Sequence, residues 1–208
     1  MKLVLKALLV VLFPLLISLL CVRVAFTEGF VEFVYSKTEL PPDPMPYQQR
    51  LSIAKLGLRS VISHKGMEEF KNSGLFNQRE INHMEDVKRL LKVFFSIIYV
   101  GMPIFLLGLF KLKKLKEIGQ VFFFGALLLE AFALFVLFVS LINYEWLFIA
   151  FHELFFDPYS WRFFDEDMLL RVYPMDFWYK ATLYTTLMVI FLNLFSQGLG
   201  LLLWRKGF

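Results

Sequence analysis

Two of the three histidines, His83 and His152, stand beside carboxylates: Glu80 and Asp86 flank the first, and Glu153 follows the second. Imidazole, with an ordinary pKa of about 6.5, is the side chain best suited to exchanging protons near neutral pH. Glu80, His83 and Asp86 recur at intervals of three, so on a helix they share one face, and a carboxylate there could orient the ring. A histidine pair without a nucleophile points to acid–base work, one ring taking a proton from an amine or water and the other hydrogen-bonding a developing oxyanion. The same residues, as Glu80-x-x-His83 and His152-Glu153, offer oxygen and nitrogen ligands to a metal, although the spacing is short and common. Gly-x-Ser-x-Gly, a phosphate-binding glycine loop and His-Glu-x-x-His are all missing from the sequence, so a covalent serine route has no support. His64, two residues before Gly66, reads as a solvated loop residue, and the single cysteine, Cys21, excludes an internal disulfide and a cysteine-based metal cluster.

The elements that hold these residues face a solvent other than water. Of 208 residues, 58% are hydrophobic, 19% are charged and 26 are phenylalanine, with a mean hydropathy of +0.62. Soluble chains carry about 45–50% apolar residues, so this composition marks a membrane protein. A net charge of +4 is too small to suggest nucleic acid as a partner. A bilayer core of roughly 30 Å needs about 20 apolar residues of helix. Four runs supply it: Leu3 to Phe26, Val93 to Phe110, Gly119 to Asn143 and Ala181 to Trp204. The short flanks (Lys2, Lys6, Lys111, Lys113, Lys114, Lys116, Arg205 and Lys206) hold eight cations against one acid, Glu117, and belong in the cytoplasm by the positive-inside rule. Residues 28–92 carry ten cations and nine acids and residues 145–180 three and seven, so both segments are expected outside and both termini in the cytoplasm. The first apolar run is too long for a signal-peptide core and lacks a small-x-small cleavage site, so it reads as a retained span.

This gives an all-α integral membrane protein, a single membrane domain over 1–208, with an extracellular cap formed by 27–92 and 144–180. Within the cap, Phe30-Val31-Glu32-Phe33-Val34-Tyr35 has the composition of a short strand, and Pro41, Pro42, Pro44 and Pro46 make a rigid extended loop. From Tyr47 the apolar positions Leu51, Ile53, Ala54, Leu58, Val61 and Ile62 fall at helical spacing, and a second short helix covers Met67 to Lys71. Asn77 with Glu80 three residues on forms a capping box for a helix that continues into the second span, so its first turns, with His83, stand outside the bilayer. Thirteen of the 36 residues from Glu145 to Lys180 are aromatic, Trp161 among them. Part of this is an interfacial belt, but aromatic walls around a few polar groups also suit a lipid headgroup and acyl chain. Inside the spans, Glu130 could bond Asn193 or Gln197, and Arg23 could meet an anionic lipid or an outer carboxylate.

The run Glu80-Ile81-Asn82-His83-Met84-Glu85-Asp86-Val87-Lys88, together with Phe151-His152-Glu153-Leu154-Phe155-Phe156, Trp161-Arg162-Phe163-Phe164-Asp165, Asp167 to Leu170, Tyr173-Pro174 and Phe177, resembles the bacterial lipoprotein intramolecular transacylases. The four-span layout matches as well. The resemblance implies a multi-pass enzyme of the bacterial cell membrane, active at the outer leaflet. Its substrate would be a lipoprotein whose N-terminal cysteine carries a thioether-linked diacylglycerol. The sn-2 acyl chain would move to the α-amino group of that cysteine, leaving a lyso-form lipoprotein, with no cofactor and no metal. It further implies that His83 and His152 are the catalytic pair. Glu80, Asp86, Glu153, Trp161, Asp165 and Arg23 are then the supporting or substrate-binding candidates. We expect His83, oriented by Glu80 or Asp86, to take the amine proton while His152 serves the ester oxygen, with the reverse order also open. The competing readings are a non-catalytic membrane scaffold and a metal-dependent lipid hydrolase. A transporter fits least, since four spans without a visible repeat offer a poor pathway.

Overall fold

The computed structural model describes residues 2–206. Among them every regular element is an α-helix: α1 Lys2–Ala25, α2 Glu28–Tyr35, α3 Tyr47–Ile62, α4 His64–Asn72, α5 Gln78–Leu112, α6 Leu115–Ile142, α7 Tyr144–Phe155, α8 Met168–Val172 and α9 Met175–Lys206. Helices α1, α5, α6 and α9 are long and apolar enough to cross a membrane and hold the four apolar runs, except that Phe26 and Asn143 fall just past the ends of α1 and α6. The chain divides into two compact units. One comprises the described residues of Met1–Arg23, Phe94–Phe138 and Tyr184–Phe208, the other Val24–Val93 and Val139–Leu183.

In the first unit Leu9, Phe13 and Leu16 of α1 pack with Phe105 and Leu112 of α5 and Val121 and Ala126 of α6. A second cluster joins Cys21 to Leu129, Ala133 and Val189. Helices α6 and α9 touch through backbone. A methyl group on Gly119 would lie 2.5 Å from the Gly200 carbonyl oxygen, and one on Gly200 would lie 2.7 Å from the Phe123 nitrogen. Small residues at such crossings let apolar helices pack closely where lipid offers no hydrophobic driving force between them. Gln197 Nε2 donates to Glu130 Oε2 at 3.4 Å, one of the two partners expected for that acid.

The second unit is built from short amphipathic helices. Residues 30–35, expected to suit a strand, lie instead in α2. Thr27 accepts the Phe30 N–H as N-cap, Glu28 occupies the first turn, and Val31, Val34 and Tyr35 are buried at helical spacing. β-Propensity is a preference for a half-buried pleated surface, and a capped segment with an i, i+3, i+4 apolar face overrides it. The proline-rich stretch has no regular structure, as expected, and is held from α3 by Arg50, whose Nη1 donates to the Pro41 carbonyl at 2.8 Å. Ser63 ends α3 and also caps α4, accepting the Gly66 N–H at 2.9 Å. Gly66 is required there, because a β-carbon would sit 2.1 Å from the Arg59 carbonyl oxygen. His64 opens α4 rather than lying in a loop, and it is exposed.

The capping box forms as read. Asn77 Oδ1 accepts the Glu80 N–H at 3.1 Å and Glu80 Oε2 accepts the Asn77 N–H at 2.7 Å. The other carboxylate oxygen of Glu80 accepts the Leu169 N–H at 2.7 Å, so one buried side chain both starts α5 and anchors α8.

Replacing Gly200 with valine is expected to lower the melting temperature in detergent, at a cost of about 1–3 kcal/mol from overpacking at the α6–α9 crossing. Glu80→Ala strands two backbone donors and is expected to cost about 2–4 kcal/mol. Thermal unfolding of the purified variants checks both, and wild-type stability in either would remove the constraint argued for it.

Candidate active site

His83 lies on α5, one turn beyond the Asn77–Glu80 box, and precedes the apolar run at 93–110 by ten residues. His152 lies near the end of α7, whose start is fixed by Asn143 Oδ1 accepting the Trp146 N–H at 3.0 Å. The fold brings the two imidazoles together, with ring centroids 6.0 Å apart and planes inclined by 27°. Phe156 and Phe163 present their rings edgewise to His83 at 5.1 and 5.5 Å. His152 packs against Phe148 at 4.0 Å and Trp161 at 4.8 Å, with Phe151 and Phe156 at 5.5 Å. The aromatic segment therefore lines the histidine pair, with His83 buried and His152 half-buried.

His152 Nδ1 lies 2.7 Å from the carbonyl oxygen of Phe148, one turn earlier on α7. A carbonyl only accepts, so Nδ1 carries the hydrogen and, in the neutral ring, Nε2 keeps its lone pair. His83 is only 7% exposed, and its Nδ1 is buried without a hydrogen-bond partner among the described residues. Burial, and then the neighbouring His152, push the His83 pKa down to about 3. Burial also lowers the His152 pKa, partly offset by its bond to the Phe148 carbonyl. Both rings are thus neutral at pH 7, and in this shared apolar setting they do not hold charge together.

The wall around the pair is tied to the start of α5. Asp167 Oδ2 accepts from Arg79 Nη2 at 2.6 Å and from the Phe164 N–H at 2.8 Å, while its Oδ1 accepts from Asn77 Nδ2 at 2.7 Å. Arg79 lies over Phe164 at 4.8 Å and Phe163 at 5.5 Å. Through these bonds, and Glu80 to Leu169, the loop that carries Trp161 and Phe163 is fastened beside His83. Neither Arg79 nor Asp167 is among the candidate site residues read from the sequence, although Asp167 opens one motif of the resemblance. The signal for Asp167 is its place just before Met168, where an acid suits the start of a helix.

The remaining candidates fall in different places. Glu80 spends both oxygens on backbone N–H groups, and its pKa is raised by burial against the pull of those bonds. Asp86 pairs with Arg89. Glu153 meets Arg162 at 3.3 Å on the surface, and Arg162 lies 5.3 Å above the Trp161 ring. Asp165 is exposed. Arg23 belongs to the first unit, where it lies 5.1 Å over Phe95.

A family model described as "Lipoprotein intramolecular transacylase Lit" matches residues 4–178. An uncharacterised protein of Aquifex aeolicus (strain VF5) is 41% identical over 210 residues, covering 97% of this chain and 95% of that one. Among solved structures, the membrane-integral lipoprotein intramolecular transacylase Lit from Bacillus cereus superposes with a TM-score of 0.74 at 20% identity, over 99% of this chain and 97% of its own. A form of that protein with one histidine substituted gives 0.64 at 17% identity, over 99% and 93%. These likenesses show a common all-helical membrane fold, and the family match shows the activity: the chain is an integral membrane acyltransferase that belongs to the lipoprotein intramolecular transacylase family.

Proposed function

We propose that His83 and His152 carry the acyl transfer, moving the sn-2 acyl chain of an S-diacylglyceryl lipoprotein to the α-amino group of its N-terminal cysteine. The observation that supports this reading is the pair itself: two neutral imidazoles 6.0 Å apart against aromatic rings, one with its tautomer held by a backbone carbonyl. No cofactor enters the scheme. The charge asymmetry of the flanks supports a site facing the outer leaflet of the cell membrane, with the lipoprotein and membrane lipid as its partners.

An α-amino group has a pKa of about 8, so at pH 7 about a tenth is present as the free amine. That amine attacks the ester carbonyl carbon, and its N–H grows acidic as the C–N bond forms. His152 is the better acceptor for this proton, because the bond from Nδ1 to Phe148 leaves Nε2 bearing the lone pair. The assignment reverses the order first expected from sequence. When the tetrahedral intermediate collapses, the bond to the glycerol sn-2 oxygen breaks and that oxygen takes the proton from Nε2. His83 presents a buried, unpartnered Nδ1, which as N–H donates to the carbonyl oxygen. Glu80 and Asp167 act by position, holding the first turn of α5 and the aromatic loop. Because amine and ester belong to one molecule, confinement in such a pocket supplies a high effective concentration and keeps water from competing.

His83→Asn and His152→Asn are each expected to slow transfer by about 10²–10⁴-fold while leaving a folded protein. Mass spectrometry of a diacylated lipopeptide reads the outcome: unchanged mass with the acyl group on N-terminal fragment ions for wild type, unreacted substrate for the variants. Full transfer by either folded variant would falsify the assignment.

A second expectation follows from the lowered His83 pKa. Below pH 6.5 the unfolded chain takes up a proton that the folded ring refuses until about pH 3. This contribution to stability is complete above pH 6.5 and is lost as the pH falls from there towards 3. The drop in melting temperature from pH 7.5 to 4.5 should therefore be smaller for His83→Asn than for wild type, and an equal drop in both would contradict a neutral, buried His83.

A further inference from the structure

Two ring nitrogens, His83 Nδ1 and Trp161 Nε1, are buried without hydrogen-bond partners among the described residues, and both belong to rings that flank His152. Trp161 is 8% exposed. Its indole N–H can only donate, and leaving such a donor buried and unmatched is unfavourable. Buried tryptophans ordinarily turn this group towards an acceptor. Packing does not explain the exception, because a phenylalanine could fill much of the same space without the unmatched donor.

The ring is also held firmly. It lies 4.8 Å from the His152 imidazole at 39°, with Phe148 6.3 Å away on one side and the Arg162 guanidinium 5.3 Å above it. Arg162 is in turn tied to Glu153, the residue after His152, at 3.3 Å. Tryptophan and histidine are thus linked through space by ring contact and along the chain by the Glu153–Arg162 pair.

From this geometry we propose that Trp161 is a catalytic residue, whose indole N–H donates to the sn-2 ester carbonyl oxygen as it becomes an oxyanion. The inference rests on the proposed function and deepens it: the carbonyl oxygen gains a second donor beside His83, and both donors belong to rings in contact with His152, the proton acceptor. In the step itself the amine nitrogen bonds to the carbonyl carbon and the carbonyl π electrons move onto oxygen. The amine proton passes to His152 Nε2, and the indole N–H remains intact, hydrogen-bonded to the negative oxygen. On collapse the oxygen re-forms its double bond, the acyl–glycerol C–O bond breaks, and the glycerol oxygen receives the proton from His152. The indole bond weakens again as the charge leaves. Because this interaction strengthens with charge on the oxygen, it acts on the transition state more than on the bound ester.

The test uses the full-length protein with a synthetic diacylated lipopeptide, comparing wild type, Trp161→Phe, and a variant in which position 161 carries 3-benzothienylalanine, which keeps the bicyclic shape but has no N–H. Both variants are expected to lose about 10²–10³-fold in kcat, with KM within a few-fold of wild type. Wild-type kcat in the benzothienyl variant would overturn the proposal whatever Trp161→Phe does, because ring shape alone would then be the requirement. A rise in KM with kcat unchanged would overturn it too, by making Trp161 a binding wall. If the wild type itself leaves the acyl chain on glycerol, the proposed function fails and this inference with it. Wild-type transfer with unimpaired variants defeats the inference alone.

Discussion

The carboxylate of Glu80 holds two parts of the chain that lie 89 residues apart. One oxygen closes the first turn of α5 and the other takes the Leu169 N–H in the first turn of α8. Since a helix start leaves four backbone donors unmatched, a single buried acid that satisfies donors from two helix starts fixes the spacing between them. Everything near the histidines depends on that spacing. His83 rides one turn above it on α5, and the loop that carries Trp161 and Phe163 ends where α8 begins. Asp167, Asn77 and Arg79 add further bonds between the same two stretches.

Around that joint burial sets the charge state of the two imidazoles. Aromatic rings on several sides of two imidazoles remove the hydration that would stabilise an imidazolium, so both rings are neutral where histidine is ordinarily divided between two states. The shape of the pair follows from backbone more than from charge. A helix carbonyl selects the tautomer of His152, and the nearest carboxylates are engaged with backbone N–H groups or with arginines on the surface.

Much of this was legible where the signal is local. The capping box at Asn77 and Glu80, the four apolar runs and the amphipathic helix from Tyr47 all follow from spacings within a few residues. Glu80 shares a face with His83 as its spacing demands, yet its oxygens turn to Leu169, a competitor that no local pattern reveals. Asp167 stands in a motif of the resemblance, but its role is hidden for the same reason, since its partners Asn77 and Arg79 are 90 and 88 residues distant. The misreading at 30–35 has a different cause. β-Branched and aromatic residues there satisfy both a two-residue and a three-to-four-residue period, and the choice lies with Thr27, one position before the segment's first turn. Arg23 could not be placed by depth along a span alone, and it belongs with the apolar unit.

The bond from His152 to a neutral carbonyl has a kinetic meaning under the proposed mechanism. In enzymes that pair a catalytic histidine with a buried aspartate, full negative charge sustains the imidazolium between proton acceptance and donation. A carbonyl dipole gives less, and the apolar wall gives none. The protonated ring is therefore a short-lived species, which must pass its proton on almost as soon as it receives it. Amine attack and glycerol departure become nearly one event, and little time remains for a stray water molecule to intercept the acyl group between them.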